Sequence, residues 1–288
     1  MLEKKKAPLT KEQIEELRED LKLADTLTRI DNTLLVLSGK GGVGKSTVAV
    51  NLAAALAAAD KEVGLLDIDF HGPSVPTLLG LEGAEVEQGT GKGLEPIKIA
   101  KNLKVMSIEF IIRENKDQAV IWRGPMKHRM IHEFLSEVDW GHLDFLIVDA
   151  PPGTGDEPLS ICQMAPPRSQ AIIVTTPQKV AIRDVRKSIN FCKSLGMPIF
   201  GIIENMSGFV CPTCGASHPL FKTGGGESLA RETGFRFLGG VPIDPRVVAA
   251  SDDGKPFVTE YPASPTSKAF EQIIGPILSL SSPRLKKH

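Results

Sequence analysis

A doubly wound α/β fold, with a mostly parallel sheet covered by helices on both faces, is predicted by three features of this 288-residue chain. Short runs rich in β-branched and aliphatic residues recur along it, helical patterns lie between them, and the runs are apolar throughout rather than alternating. Strands of that kind are buried on both faces, and strands that alternate with helices are joined by parallel crossovers. In chain order, residues 10–30 read first as an amphipathic helix, with Thr10 and Gln13 spaced as a capping box and Ile14, Leu17, Leu21, Ala24 and Leu27 on one face. Residues 1–30 are therefore expected to form a helical leader that packs on something, and 31–288 a single domain. Strands are expected at 34–37, 63–66, 103–106, 145–148, 171–174 and 199–203, and helices at 46–59, 127–138 and 182–195. The Gly-, Glu- and Lys-rich stretch 82–93 reads as an exposed loop. Near the end, 269–280 reads as an apolar helix broken by Gly275-Pro276.

Composition narrows the function. Thirty-four Lys and Arg against 35 Asp and Glu leave a net charge of −1, which fits neither a basic nucleic-acid clamp nor an acidic tail. The 27 glycines and 21 prolines make up about a sixth of the chain, which folds but with many shaped loops. The charged start lacks the apolar core of a secretory signal, and the longest apolar stretch, 48–59, is interrupted by Asn51 and falls short of the ~20 residues that cross a bilayer. Neither a membrane nor a nucleic acid is expected as partner, and the expected location is cytoplasmic.

The first strand runs into Gly39-Lys40-Gly41-Gly42-Val43-Gly44-Lys45-Ser46-Thr47, which matches G-x-x-x-x-G-K-[ST] and then opens a helix. Glycines let backbone N–H groups curl around phosphate oxygens, and the helix N-terminus adds positive potential. Lys45 reaches the β- and γ-phosphates and Ser46 ligates Mg²⁺. Lys40 has no seat beside Lys45, and phosphoryl transfer gains from a further cation against the developing charge. Two more loops follow strands and carry carboxylates, Asp67-Ile68-Asp69-Phe70-His71-Gly72-Pro73-Ser74 and Asp149-Ala150-Pro151-Pro152-Gly153-Thr154-Gly155-Asp156. Ligands of open α/β sheets bind at the carboxyl ends of strands, so all three loops can converge on one nucleotide. Asp149 suits the acid that holds Mg²⁺ through water, Asp69 the group that orients the attacking water, and the Gly153 N–H an approach to the γ-phosphate.

Four cysteines include the pair Cys211-Pro212-Thr213-Cys214. Spacing alone leaves three readings open. One is half of a [4Fe-4S] ligand set, completed by the same loop of a second copy across a two-fold axis. Another is a zinc site completed by His218, and the third a redox dithiol. Cys162 and Cys192 lie among apolar residues and read as buried bystanders. His128 and His132 share a helix face without a third ligand, on a segment rich in Lys and Arg that reads as solvated.

The loop from Gly39 to Ser46 resembles the deviant Walker A motif of the ATPase class that contains nitrogenase iron protein, the arsenite-pump ATPase and the MinD and ParA positioning proteins. Residues 67–74 and 149–156 are similar to the D-x-D-x-x-G-P-S and D-x-P-P-G-T-G-D of the Mrp family, and Glu204-Asn205-Met206-Ser207 precedes the C-x-x-C as it does there. Trp122-Arg123-Gly124-Pro125 also resembles a stretch of that family. The resemblance covers about 34–258. It implies a P-loop NTPase fold and an ATP-hydrolysing iron-sulfur carrier that works as a homodimer and serves apo-proteins. Lys40 would then reach the partner subunit's nucleotide, and Asp69 and Asp149 would be switch acids. Asn205 and Pro242-Ile243-Asp244-Pro245 would border the adenine, and Cys211 and Cys214 would hold the cluster. No cysteine precedes Cys162, so the amino-terminal cysteine group of the eukaryotic cytosolic relatives has no counterpart within these residues. A MinD-like membrane ATPase is the alternative from another class, and needs a basic amphipathic carboxyl-terminal helix. A ParA-like DNA-bound ATPase needs a basic surface, and a zinc-stabilised P-loop enzyme needs zinc without iron.

Overall fold

The computed structural model describes residues 10–87, 93–111, 123–166, 168–211, 214, 216–218, 220 and 223–280. The chain opens with α1 (Lys11–Thr28), β1 (Ile30–Ser38), α2 (Lys45–Ala58), β2 (Val63–Asp67) and α3 (Val75–Leu78). The antiparallel pair β3 (Ile97–Ala100) and β4 (Leu103–Ser107) follows, then α4 (Gly124–Ser136), β5 (Leu143–Asp149), α5 (Asp156–Met164), β6 (Ser169–Thr175) and α6 (Lys179–Ser194). The last part holds β7 (Ile199–Val210), β8 (Ser217–His218), α7 (Gly225–Thr233), β9 (Phe237–Ile243), α8 (Arg246–Asp252), α9 (Phe257–Glu260) and α10 (Pro265–Leu278).

These strands form one sheet in the order β3-β4-β2-β5-β1-β6-β7, with β8 and β9 both paired to β7. All pairings are parallel except β3 on β4 and β8 on β7. The strands of the middle, β2, β5 and most of β1 and β6, are buried along their length, which is why their sequences are apolar without alternation. β1 lies between β5 and β6, so the chain departs in both directions from it, and the loop after β1 sits at the crevice where α/β sheets bind ligands.

α2, which follows that loop, is buried on nearly every side. Its alanines let it lie close to the sheet, and Asn51, which breaks the apolar run, is satisfied: its Nδ2 donates to Thr47 O at 2.9 Å and its Oδ1 accepts from Val258 N at 3.0 Å.

The ends depart from expectation. α1 stops at Thr28, because Ile30 opens β1. Its second half packs through Leu23 and Leu27, with Thr26 Oγ1 on Ser136 O of α4, while Ile14, Leu17 and Leu21 of the expected apolar face are exposed. The Gln13 side chain of the expected capping box and Trp122 lie outside the described residues, as do 88–92 of the expected loop. α10 is not broken at Gly275-Pro276. Pro276 falls within the last turn, where one lost backbone hydrogen bond is tolerable, and Phe270, Ile273, Ile274 and Ile277 are buried in the core. No helix among the described residues is long and apolar enough to cross a membrane. β9 was hidden by Gly239, Gly240 and Pro242. A Cβ on Gly239 would stand 2.9 Å from Ile273 Cγ1, so glycine is what lets α10 lie against this strand.

Candidate functional site

Ser38 ends the buried β1, and the glycine-rich loop turns from there into α2. Gly42 and Gly44 both hold φ of +76°, a left-handed conformation that a side chain rarely adopts. A Cβ on Gly39 would come within 2.3 Å of the Asp184 backbone of α6, which cannot yield as a side chain would. The loop lines a cavity of about 290 Å³ with Lys40, Gly41, Gly42, Gly44, Lys45, Ser46 and Thr47. Asp69, Gly72 and Ser74 from the loop after β2, Leu78 of α3, and Pro152 from the loop after β5 face them across it. The three loops singled out from the sequence therefore meet at one place.

The floor of that cavity is ionic. β2 and β5 pair with Asp67 opposite Asp149, and neither carboxylate is exposed. Lys45 Nζ donates to Asp149 Oδ1 at 2.5 Å and lies 3.4 Å from Ser46 Oγ. Asp149 Oδ2 is buried with no hydrogen-bond partner among the described residues. Asp67 accepts from Asp69 N at 3.0 Å on Oδ1, and from Ser107 Oγ at 3.1 Å and Val75 N at 3.4 Å on Oδ2. Burial pushes the Asp67 carboxyl up to about 8, and the neighbouring Asp149 adds to the rise. Burial likewise raises Asp149, against the pull of Lys45. One ammonium against two buried acids leaves the pair partly protonated at neutral pH, and an oxygen-only donor set with an orphaned carboxylate oxygen fits a hard divalent cation such as Mg²⁺ in place of that proton.

Asp67 was not singled out from the sequence. The repeated Asp of D-x-D was the only signal, and which of the two faces Asp149 is decided by strand register.

A pH dependence follows from these shifts. Acids with raised folded-state pKa contribute stability that is full below the unfolded value of 3.8 and is lost as pH rises toward about 8. The acids held low, Glu157 and Asp244, act only below the ordinary carboxylate range. Nucleotide-free protein is expected to lose about 1–3 kcal/mol of unfolding free energy between pH 5.5 and 8 in urea titrations. A flat or rising profile contradicts the assignment of buried, partly protonated acids.

Gly153 corrects an expectation. Its N–H donates to Ser38 O at 2.9 Å, with φ of +93°, so this amide is taken up by the end of β1 rather than open to a phosphate.

A second, mostly apolar cavity of about 390 Å³ adjoins the first, sharing Gly44, Thr47 and Leu78. Asn205, Val241, Pro242, Asp244 and Phe270 are among its walls. Asn205 Nδ2 donates to Val43 O at 2.9 Å, tying the middle of β7 to the glycine-rich loop. The Asp244 carboxylate is held by Arg246, at 2.6 Å from Nη2 and 2.9 Å from Nε. Burial raises its pKa, but those hydrogen bonds outweigh it and hold the carboxyl below its ordinary range. Its wall contribution is therefore a neutralised one. Lys40 is half-buried beside the first cavity and has no ion-pair partner among the described residues.

Cys211 and Cys214 lie where β7 turns back into β8. Cys211 is half-buried and its N–H donates to Ala216 O at 2.9 Å, while Cys214 is exposed. His218 sits on β8 opposite Phe209, and the described residues contain no group of three or more His, Cys, Asp or Glu placed to hold a metal. Glu204, unnoticed in the sequence apart from its motif, closes the base of this hairpin. Fully buried, it accepts from Ser207 Oγ at 2.6 Å, Gly224 N at 3.0 Å and Gly226 N at 2.6 Å. Burial pushes the thiols of Cys162 and Cys192 up to about 12 and about 11, so they stay protonated at neutral pH. His128 lies 3.1 Å from Ser160 Oγ and His132 lies 3.4 Å from Ser136 Oγ.

A parallel sheet with a glycine-rich loop between its central strand and a buried helix, facing two acidic loops, defines a P-loop NTPase. The chain belongs to the family described as NUBPL iron-transfer P-loop NTPase, whose model matches residues 29–278. It is 49% identical over 255 residues to a cytosolic Fe-S cluster assembly factor NUBP2 homolog of Trichoplax adhaerens, covering 87% of this chain and 96% of that protein. It is 46% identical over 261 residues to an iron-sulfur cluster carrier protein of Saccharolobus solfataricus, covering 91% and 88%. Among solved structures, a nucleotide-binding protein of Archaeoglobus fulgidus in complex with ADP superposes with a TM-score of 0.75 at 39% identity, covering 93% of this chain and 99% of that one. The Aquifex aeolicus MinD cell division protein shares the fold, with a TM-score of 0.62 at 22% identity over 89% of this chain and 100% of that one.

Proposed function

We propose that this protein is a cytoplasmic, ATP-hydrolysing carrier that holds a [4Fe-4S] cluster as cargo between two copies of the chain and passes it to apo-proteins. The observation that carries the reading is a thiol pair, Cys211 and Cys214, on a hairpin that continues the strand whose Asn205 grips the phosphate loop. The names of the Trichoplax and Saccharolobus relatives support it. One chain offers two thiolates there and a [4Fe-4S] cluster takes four, so an isologous pair of hairpins supplies a complete set.

In this reading Gly39, Gly41, Gly42, Val43 and Gly44 cradle the phosphates with their N–H groups, Lys45 neutralises them, and Thr47 borders the nucleotide at the start of α2. Ser46 would hold Mg²⁺ directly, and Asp69 and Asp149 would hold it through water. When bound, that ion would supply positive charge against the phosphates. Asp69 orients the attacking water, and Asn205, Pro242 and Asp244 form the adenine side. Lys40 acts on the partner subunit's nucleotide, so Lys40→Ala should keep ATP affinity within about twofold while lowering hydrolysis at least tenfold. Mixed dimers with Asp69→Ala chains check it, since activity should depend on which chain carries which change.

The function is tested by loading the protein with iron and sulfide anaerobically and mixing it with an apo-ferredoxin. Acceptor reconstitution that outpaces free iron and sulfide, and responds to ATP, is expected. Equal rates with and without the protein contradict carriage.

A further inference from the structure

We propose that Lys127 and Glu157 form a buried charge clamp that positions Asp69 for hydrolysis by locking together the two acidic loops of the nucleotide site. The inference rests on the ATPase reading above. Lys127 is the fourth residue of α4, and the charged sequence around it reads as a solvated face, yet its side chain is only 11% exposed. Its Nζ donates to Glu157 Oε1 in a short ion pair, lies 3.1 Å from His71 Nε2 and stands 5.9 Å from the Phe70 ring centroid. The Glu157 side chain is 8% exposed and also lies 3.2 Å from His71 Nε2.

These contacts come from three separate elements, each with a link to the cavity. His71 and Phe70 belong to the loop after β2, and the His71 backbone N–H donates to Asp69 Oδ1 at 3.2 Å. Glu157 is the second residue of α5, directly after the loop that follows Asp149 and lines the cavity with Pro152. The start of α4 is seated on the same place, since a Cβ on Gly124 would stand 3.1 Å from Asp156 Oδ2. Lys127 thus holds both loops from behind, outside the residues that line the cavity.

A buried ion pair is a poor way to add stability, because desolvation offsets the attraction and apolar side chains of similar volume serve as well. What it fixes is geometry, since each charge tolerates few arrangements that leave it paired. The Glu157 carboxylate remains ionised: burial raises its pKa, but the hydrogen bond from Lys127 and its neighbours outweigh that and bring it below the ordinary range. Lys127 and Glu157 are positioning residues, acting through His71 and the loop backbone on Asp69.

The test compares Lys127→Met, Lys127→Arg and the uncharged pair Lys127→Met with Glu157→Gln. Steady-state ATPase kinetics, urea unfolding and amide hydrogen exchange are measured for each. Lys127→Met should lower kcat about tenfold or more and leave KM for ATP within about twofold, because displacement of a reacting group costs rate and Lys127 touches no part of the nucleotide cavity. Lys127→Arg should keep most of kcat. The uncharged pair should recover the unfolding midpoint, since no lone buried charge remains, without recovering kcat. Amides of 68–74 should exchange faster in Lys127→Met and those of 39–47 should not.

Recovery of kcat together with stability in the uncharged pair, a KM that rises in step with the loss of kcat, or unchanged exchange across 68–74 each overturns the clamp. A parent protein without ATPase activity overturns the hydrolysis reading instead, and the exchange measurement still decides whether Lys127 holds the loop.

Discussion

Lys45→Ala protein is expected to bind ATP at least about 100-fold more weakly than the parent, because two charge-assisted hydrogen bonds to phosphate, each worth about 1.5–3 kcal/mol, go with the ammonium. The same change leaves Asp149 and Asp67 buried side by side without their cation, 7% exposed in the parent and paired at 2.5 Å. Removing one partner of a buried pair costs about 3–5 kcal/mol unless the survivor takes up a proton. Both acids already have raised pKa values through burial, so protonation is the accessible escape, and it becomes harder as pH rises. The loss of stability should therefore be larger at pH 8 than at pH 5.5. Calorimetric titration with Mg-ATP and urea unfolding at the two pH values check the two halves. Parent-like ATP affinity contradicts the role of Lys45, and a pH-independent loss contradicts the carboxylate pair beneath it.

Cys211→Ser and Cys214→Ser should each abolish cluster binding while leaving the fold and ATP affinity within about twofold of the parent. In a two-fold site each substitution removes two of four thiolates at once, and a serine oxygen is a harder, poorer ligand for iron-sulfur units. The fold should tolerate the change, since Cys214 is exposed and Cys211 half-buried at the tip of a two-residue ladder. Cargo that bridges two chains also stabilises the dimer by mass action, so loaded protein should stay associated at dilutions where apo protein separates. Iron analysis and sedimentation of loaded parent and variants at equal dilution read both effects. Four irons retained per pair of chains in the Cys214→Ser variant contradict ligation by this pair.

The middle of the sheet was legible because strands such as 145–148 are covered on both faces and carry no polar residue to blur the pattern. The phosphate loop was legible because its glycines answer a local backbone demand, at Gly42 and Gly44 a φ of +76°. What was hidden depends on partners far along the chain. Asp67 is indistinguishable from Asp69 until the register of β2 on β5 places one of them opposite Asp149. Glu204 looks like any strand-end acid until Gly224 and Gly226 return to it. The segment around Lys127 reads as solvated because a long charged side chain on an amphipathic helix belongs in water unless an acid is buried beside it. Pro276 reads as a helix breaker because sequence does not show that it falls in the last turn of a helix already seated on β9.

Native mass spectrometry of anaerobically reconstituted protein tests the carrier assignment most directly. Two chains carrying four irons and four sulfides, with the cargo lost and the chains separating when Cys211 or Cys214 is replaced, is the expected result. A single chain carrying a full cluster, or one zinc per chain without iron, contradicts it.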